Sequence, residues 1–298
     1  MYTVQESRRK SYWKLVVIIL VLIGYIAWAL YRPLPDIKPS LNTVQVTKTV
    51  KSNKLAWPGA GESAVGIVGD NTITYNGSNS KLPIASTAKL ITCLAVLSEK
   101  PLKLGQQGPI ITMTAKDVAL YEQYLAAGGS VVKVVDGEQI SEYQMIQTIM
   151  LPSANNMADS LVDWAFGSTA NYSEYANAYL KKHGINNTNV GVDASGLSPT
   201  STSTAEDLVK IGKLAMENPV LAEVVRQKTA TGIPVVNDIK NVNYLLGTNG
   251  IIGVKTGNTD EAGGVFVSAS TVKINERPTT IVTSVIGAPN LVTAMNSS

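Results

Sequence analysis

The 298 residues suffice for one large domain or two small ones, and a content of 45% hydrophobic and 16% charged residues excludes a disordered chain. The net charge of +3 is concentrated in residues 1–40, which have six basic and two acidic side chains and so carry +4. The remainder, with 19 basic and 20 acidic residues, carries −1. It lacks the basic surface that nucleic-acid binding requires, so we expect no nucleic-acid partner.

An uncharged run from Leu15 to Leu30 approaches the ~20 residues that a membrane-spanning helix needs. Aromatic residues frame this run and basic residues precede it: Tyr12, Trp13, Trp28 and Tyr31, and Arg8, Arg9, Lys10 and Lys14. The aromatic frame is typical of membrane interfaces, and the basic residues predict a cytoplasmic N-terminus. The alternative is a cleaved signal peptide, because Ala27-Trp28-Ala29 fits a cleavage pattern. Either way, the rest of the chain lies outside the cytoplasm.

These features divide the chain into four parts. We predict a cytoplasmic tail at 1–14, a transmembrane anchor at 15–31, a linker at 32–55 and a catalytic domain at 56–298. Prolines 33, 35 and 39 favour an extended, semi-rigid linker. The expected product is a single-pass membrane protein with an extracytoplasmic domain, or a secreted protein if the N-terminal segment is cleaved.

The catalytic domain is predicted to be α+β. Residues 64–68 and 72–75 form a hairpin pattern, and an apolar helix follows Pro83 and runs to Leu97. Helix-rich segments follow at 115–127, 138–166, 171–183 and 204–226, then a mixed segment at 235–246 and strands at 264–269 and 280–286. One antiparallel sheet built from both chain ends, with a large helical insertion between them, accounts for this order.

The cysteine and histidine content argues against two common kinds of site. The single cysteine, Cys93, lies in an apolar run and is interpreted as a small buried residue. The single histidine, His183, lies in a polar stretch and is interpreted as an exposed residue at a helix end. A Ser-His-Asp triad and a His/Cys zinc site are therefore not expected, nor is any metal or organic cofactor.

Ser86 and Lys89 form a Ser-x-x-Lys element at the start of the apolar helix. The pattern also begins at five other serines, namely Ser7, Ser11, Ser78, Ser130 and Ser270. Only Ser86 stands where a strong helix begins, so that residues three apart share a face and the Lys89 amine can reach the Ser86 hydroxyl. The free N–H groups there could also stabilise an oxyanion. A plain helix-capping serine is the structural alternative.

Two further elements have matching chemistry. Ser153-Ala154-Asn155 supplies a hydroxyl that can pass a proton and an amide that can hold a peptide group, although a helix cap would have the same sequence. Lys255-Thr256-Gly257 occurs once and offers a cation and a hydroxyl for a carboxylate. Gly257 keeps bulk away from a strand edge on which an extended substrate could pair, although an ordinary exposed strand is the alternative.

The three elements in this order are typical of penicillin-binding proteins and class A β-lactamases. From about residue 56 to 290 the chain resembles the serine D-alanyl-D-alanine carboxypeptidases, the low-molecular-mass penicillin-binding proteins of the peptidase S11 type. The segments that carry this resemblance are 83–90, 151–156, 193–199, 253–259 and 261–264. The resemblance implies the β-lactamase/DD-peptidase-like fold, and a substrate consisting of peptidoglycan stem peptides that end in D-Ala-D-Ala. It also implies that β-lactam antibiotics are covalent inhibitors.

The resemblance also assigns roles to the site residues. Ser86 is the nucleophile, Lys89 its base, Ser153 a proton relay, and Asn155 a contact to the acyl side of the substrate. The substrate-binding residues are Lys255, Thr256, Gly257 and Asn258, of which the first two bind the terminal carboxylate and the last supplies, with Ser86, the N–H groups of an oxyanion hole.

Several alternatives stay open. The same residues would serve a DD-endopeptidase, and a catalytically silent wall-binding homologue would share the fold. A β-lactamase requires a Glu-held water, and the helical middle contains Glu142 and Glu174 without a convincing Glu-x-x-Leu-Asn loop. The carboxypeptidase leads because Lys255 and Thr256 predict a free substrate carboxylate. The ten residues after Ala288 are too few for the closing helix that the resemblance implies, so either a truncated C-terminus or a reduced element is expected there.

Overall fold

The computed structural model describes residues 5–31 and 55–298, and the chain divides into two compact units, Met1–Lys54 and Leu55–Ser298. The first unit contains helix α1, Gln5–Tyr31. Across the described ranges, no helix meets the combined length and apolarity needed to cross a bilayer, so the predicted anchor is not confirmed. Residues 5–14 of the predicted tail belong to α1, while residues 1–4 and the predicted linker up to 54 lie outside the described residues.

The second unit has strands, then a largely helical middle, then strands again, as the sequence predicts, and short strands that the sequence did not predict lie inside that middle. The helices are α2 (Ala88–Glu99), α3 (Ala115–Ala126), α4 (Glu142–Met150), α5 (Asn155–Phe166), α6 (Thr169–Lys182), α7 (Ala205–Glu217), α8 (Pro219–Val224) and α9 (Leu291–Asn296), and a 3-10 turn spans Ala85–Thr87. The strands are β1 (Glu62–Ile67), β2 (Ile73–Asn76), β3 (Leu82–Pro83), β4 (Ile110–Thr112), β5 (Gln139–Ser141), β6 (Thr202–Ser203), β7 (Thr229–Ile233), β8 (Asn237–Lys240), β9 (Ile251–Thr259), β10 (Gly263–Ile274) and β11 (Arg277–Ala288).

The main sheet confirms the predicted α+β class. Its five strands run antiparallel in the order β2-β1-β11-β10-β9, so that the first and last strands of the domain are joined. Ala64 of β1 pairs with Ser284 of β11, and Val267 of β10 pairs with Lys255 of β9. Strand β9 is therefore an edge strand, and the Lys255-Thr256-Gly257 element lies on that edge.

Helices cover both faces of this sheet. Helix α7 packs closely because Gly212 has no side chain: a Cβ there would lie 2.7 Å from Val282 and 2.8 Å from Val267. On the other face, α9 has six residues and buries Ala294 and Met295 against the sheet. The segment after Ala288 thus contributes a helix of six residues to this face of the sheet.

Helix α2 lies in the centre of the domain, and ten of its twelve residues are buried. An apolar helix of this kind is covered on all sides, which holds its N-terminus in a fixed place. The segment 138–166 is not continuous helix. It divides into β5, α4 and α5, and the break after α4 falls at Pro152 and at Ser153, whose φ of 67° is left-handed. Pro152 has no backbone N–H with which to continue the hydrogen bonds of α4, which explains why the helix ends there.

Candidate active site

Ser86 lies in the 3-10 turn that leads into α2, one residue earlier than a plain helix cap would stand. Its hydroxyl oxygen is 2.8 Å from the Lys89 Nζ, so the predicted contact is present. The Ser86 side chain is partly exposed, whereas Lys89 is completely buried. Of the other Ser-x-x-Lys serines, Ser78 and Ser130 lie in loops and Ser270 lies in β10. Ser7 and Ser11 lie in α1, without described side chains.

The Lys89 amine has three close neighbours. Besides Ser86, they are Asn155 Oδ1 at 2.7 Å and the Ser195 carbonyl oxygen at 2.9 Å. An ammonium has three donors, whereas a neutral amine has two donors and one lone pair. Since the amide and carbonyl oxygens can only accept, a neutral Lys89 donates to both and directs its lone pair at the Ser86 hydroxyl. The packing therefore preorients a base toward the nucleophile.

Burial favours that neutral state. Removal of the ammonium from water lowers the pKa of Lys89 well below its ordinary value, and the nearby charge of Lys255 lowers it further. Asp193 and Asp159 act in the opposite direction, because their negative charges favour the protonated amine. The balance keeps the pKa of Lys89 depressed, which a general base at neutral pH requires.

Lys255 and Ser153 form the second half of the site. Lys255 Nζ donates to Ser153 Oγ at 2.9 Å and to the Thr256 carbonyl oxygen at 3.0 Å. Burial lowers the pKa of Lys255 to about 7. The left-handed backbone of Ser153 turns its side chain between α4 and α5 toward the edge strand. The proton-relay role of Ser153 stays a prediction, and its observed neighbour is the lysine that the sequence assigns to the substrate carboxylate.

Gly257 brings the edge strand against the nucleophile turn. A Cβ at residue 257 would lie 3.0 Å from the Ser86 backbone nitrogen and 3.1 Å from the Ile84 carbonyl oxygen. The sequence predicts a glycine here because it leaves the strand edge open to substrate. The close approach to the nucleophile turn is a second reason for a residue without a side chain. Thr256 is buried, whereas Asn258, two residues further along β9, is exposed and pairs with Gly264 of β10. The predicted oxyanion hole of Ser86 and Asn258 stays a prediction.

The segment 193–198 contributes a group that the motif analysis did not assign. Asp193 accepts hydrogen bonds from the backbone nitrogens of residues 195, 196, 197 and 198 and from the Ser195 hydroxyl. These hydrogen bonds hold the loop in a tight turn, in which the Ser195 carbonyl oxygen accepts a hydrogen bond from Lys89. The signal in the sequence is Asp-x-Ser-Gly, an aspartate able to cap its own turn with a glycine behind it. Gly196 has a φ of 74°.

Cys93 and His183 have the positions that the sequence predicts. Cys93 is completely buried in α2, and burial raises the pKa of its thiol to about 12. His183 follows α6, is exposed, and has its Nδ1 2.8 Å from the Tyr179 carbonyl oxygen. Neither residue contacts the Ser86 hydroxyl among the described hydrogen bonds, so the nucleophile is paired with lysine.

Comparison with known proteins identifies the family. The sequence model of the D-alanyl-D-alanine carboxypeptidases, peptidase family S11, matches residues 63–290. This chain belongs to that family. The prediction from the three elements is therefore confirmed at family level, and the protein is a serine peptidase of the S11 type.

Individual relatives agree with the assignment to family S11. The chain is 29% identical over 218 residues to a D-alanyl-D-alanine carboxypeptidase of Streptomyces sp. strain K15, covering 67% of this chain and 72% of the relative. It is 30% identical over 214 residues to a D-alanyl-D-alanine endopeptidase of Pseudomonas aeruginosa, covering 67% and 63%. The chain thus spans about two thirds of the length of these curated relatives.

A solved structure agrees with the fold. The crystal structure of the Streptomyces K15 DD-transpeptidase superposes with a TM-score of 0.71 at 26% identity, and the match covers 80% of this chain and 94% of that one. This similarity confirms the DD-peptidase fold that the sequence predicts for the body of the S11 chain.

Proposed function

We propose that this S11 chain is a serine D-Ala-D-Ala carboxypeptidase that removes the terminal D-alanine of peptidoglycan stem peptides. One observation carries the proposal: the buried Lys89 amine lies 2.8 Å from Ser86 Oγ, and its two other neighbours can only accept hydrogen bonds. That arrangement generates a serine nucleophile without histidine.

In the acylation step, the Ser86 hydroxyl gives its proton to the Lys89 amine while Oγ bonds to the carbonyl carbon of the penultimate D-alanine. The tetrahedral intermediate then expels the amine of the terminal D-alanine, which takes up a proton. That proton comes from Lys89, with the Ser153 hydroxyl as the predicted relay. Water hydrolyses the acyl-serine in the second step and regenerates the Ser86 hydroxyl. β-Lactams follow the first step and form a long-lived acyl-serine.

The cation beside Ser153 supports a preference for a free C-terminus. Lys255 is buried and has a pKa lowered to about 7, so it exists partly as a neutral amine before substrate arrives. A substrate carboxylate beside it favours the charged form. The resulting cation then disfavours protonation of Lys89, so carboxylate binding would itself favour the neutral amine that can accept the Ser86 proton. A blocked C-terminus would provide neither effect.

The names of the relatives differ in the reaction that they describe, so the peptide bond that this chain cleaves has to be tested. The P. aeruginosa relative is named an endopeptidase, and the protein of Streptomyces K15 is named both a carboxypeptidase and a transpeptidase. Glu142, considered for a β-lactamase, lies at the start of α4 and has no hydrogen-bond partner among the described residues for either carboxylate oxygen. It is not among the groups in hydrogen-bond contact with Ser86 or Lys89.

The activity test combines labelling and product analysis. The full chain is incubated with a fluorescent penicillin, and D-alanine release is measured from a pentapeptide stem and from the same peptide with an amidated C-terminus. Ser86→Ala should abolish labelling and release. Ser78→Ala is the matched control, because Ser78 begins an exposed Ser-x-x-Lys pattern in a loop.

The remaining outcomes would contradict the proposed nucleophile or support a different function. Labelling that survives Ser86→Ala contradicts the proposed nucleophile. Rapid hydrolysis of a chromogenic cephalosporin without D-alanine release supports a β-lactamase, and cleavage of crosslinked dimers in preference to pentapeptide supports an endopeptidase. Binding to wall material with neither labelling nor turnover supports a silent homologue.

The proposal includes an extracytoplasmic location, which follows from the wall substrate and from the charge pattern around Leu15–Leu30. Membrane attachment through this segment remains a prediction from the sequence. Carbonate washing of membranes, followed by N-terminal sequencing, tests it. Retention of the full-length chain supports an anchor, a new N-terminus near residue 30 supports a cleaved signal peptide, and release of the full-length chain contradicts both.

A further inference from the structure

The Ser195 carbonyl oxygen, which accepts a hydrogen bond from Lys89, is held in place by a second aspartate besides Asp193. The loop that contains it is held by Asp193 on one side, and on the other by Asp159 of α5. Asp159 Oδ1 accepts a hydrogen bond of 2.9 Å from the backbone nitrogen of Ala194, the residue before Ser195. The Ser195 carbonyl is therefore placed by a side chain from another element.

Asp159 is in turn held by α3. Its Oδ2 accepts a hydrogen bond of 2.6 Å from the Tyr124 hydroxyl, and the two side chains are 7% and 6% exposed. Burial raises the pKa of the Asp159 carboxyl, while the hydrogen bonds from Tyr124 and Ala194 oppose that change. Hydrogen bonds to a charged carboxylate are stronger than those between neutral groups, and burial strengthens them further. The two donors therefore hold the Asp159 side chain in a fixed orientation.

The helical spacing links Asp159 to the site directly. Asn155 and Asp159 are four residues apart on α5, so they share one face of the helix. Asn155 accepts from Lys89 through its own side chain, and Asp159 acts on the same amine through Ala194 and Ser195. One helix face thus determines two of the three neighbours of the base.

Four charged or titratable groups act electrostatically on Lys89, namely Lys255, Asp193, Asp159 and Cys93. Lys255 of β9 repels the ammonium form, and the carboxylates of Asp193 and Asp159 attract it. Cys93, on the same helix as Lys89, has a thiol with a pKa of about 12 and is neutral at working pH. The charge of Asp159 therefore counteracts part of the effect of Lys255.

We propose that Asp159, held by Tyr124, is a positioning residue for the Lys89 amine: it fixes the Ser195 carbonyl and places a negative charge behind the base. This inference rests on the proposed function, since it concerns the base of the same reaction. The negative charge of Asp159 keeps the pKa of Lys89 from falling further, so that the amine is still basic enough to remove the Ser86 proton. Without that charge Lys89 loses its proton at lower pH and becomes a weaker base.

The test is the pH profile of Ser86 acylation by a fluorescent penicillin, measured as a second-order rate constant from pH 5 to 10. In Asp159→Asn the amide oxygen can still accept from Ala194, and the amide nitrogen can donate to the Tyr124 oxygen, so both contacts survive without the charge. The acid limb is the part of the profile in which the rate rises with pH as Lys89 loses its proton. We expect this limb to move to lower pH and the plateau rate to fall by up to about 10²-fold.

Asp163→Asn is the matched control. Asp163 is one turn further along the same helix, and its carboxylate pairs with Lys116 at the surface, at 2.6 Å. It should leave both the acid limb and the plateau unchanged. Asp159→Glu keeps the charge but moves it, so the plateau should fall while the acid limb stays at the wild-type pH. Tyr124→Phe should behave in the same way, which keeps the test available if Asp159→Asn does not fold.

The inference is wrong if Asp159→Asn lowers the rate equally at all pH values, or if Asp163→Asn moves the acid limb as far. It is equally wrong if Asp159→Glu moves the limb to lower pH as Asp159→Asn does, or if Tyr124→Phe has the wild-type rate at every pH. A wild-type protein that labels at Ser86 and releases D-alanine with any of these results retains the proposed function. A wild-type protein that does neither overturns both proposals.

Discussion

Lys255 Nζ donates a 2.9 Å hydrogen bond to Ser153 Oγ, although 102 residues of chain separate them. The lysine comes from the edge strand β9, and the serine from the left-handed bend between α4 and α5. Both are buried, and the same lysine disfavours protonation of Lys89. Lys255 thus links the predicted carboxylate subsite to the base of the reaction.

Replacement of this lysine by a neutral side chain of similar length should have two separable effects. In Lys255→Met, kcat/KM for the pentapeptide should fall by roughly ten- to a hundredfold, because a charge-assisted contact to the substrate carboxylate is lost. The pKa of Lys89 should rise, since a neighbouring like charge is removed. The acid limb of Ser86 acylation should therefore move to higher pH, the reverse of the shift expected for Asp159→Asn.

Steady-state kinetics with the free and the amidated pentapeptide check the first effect, and penicillin labelling across pH checks the second. The preference for the free acid should shrink in Lys255→Met. A variant that keeps the wild-type preference would show that another group binds the carboxylate.

Gly257→Ala should impair the nucleophile without removing any reacting atom. The new Cβ would lie 3.0 Å from the Ser86 nitrogen, so β9 or the nucleophile turn must shift. Overpacking of this kind costs about 1–3 kcal/mol, and a shift of the turn should slow penicillin acylation at least tenfold. Gly59→Ala is the control, because a Cβ there meets no atom within 4 Å. Equal acylation rates in the two variants would contradict the close approach.

Glu142 should make the stability of the protein depend on pH. Both carboxylate oxygens lack a partner among the described residues, and burial raises the pKa from 4.5 to about 7. Above pH 7 the group is charged in the folded and the unfolded state, and the folded state bears the cost of desolvation. As pH falls from 7 toward 4.5, the folded protein takes up a proton before the unfolded chain does, so stability increases.

Glu142→Gln should therefore raise Tm by roughly 2–4 °C at pH 8.5, with an advantage that disappears toward pH 4.5. Thermal unfolding followed by circular dichroism across this range checks the expectation. Glu122→Gln, at an exposed position of α3, should have the wild-type Tm throughout. A Glu142→Gln variant with the same pH dependence as the wild type would show that this carboxyl does not titrate on folding.

Cys93 should react with thiol reagents only when the domain opens. Its side chain is completely buried, and burial raises the pKa of the thiol to about 12, so little thiolate is present at neutral pH. Maleimide labelling of the native protein should follow the rate of unfolding, while the guanidinium-unfolded chain labels at once. Fast native labelling that also blocks penicillin binding would place the thiol within reach of solvent and of the site.

Local patterns in the sequence already contain the nucleophile and its base. Ser86 and Lys89 are three residues apart in a turn that leads into an apolar helix, and helical geometry alone brings their side chains together. The hairpin, the edge element and the burial of Cys93 are likewise consequences of alternation and apolar runs.

Packing over long separations decided the rest of the site. The contacts of Lys89 with Asn155 and Ser195 join residues 66 and 106 apart, and no periodicity predicts which carbonyl will meet an amine. The pairing of Asp159 with Tyr124 has no signal in either segment, because both occur on helices as ordinary polar residues. Secondary structure depends on neighbours along the chain, whereas the depressed pKa values of Lys89 and Lys255 depend on burial, which exists only once the sheet and the helices have closed around them.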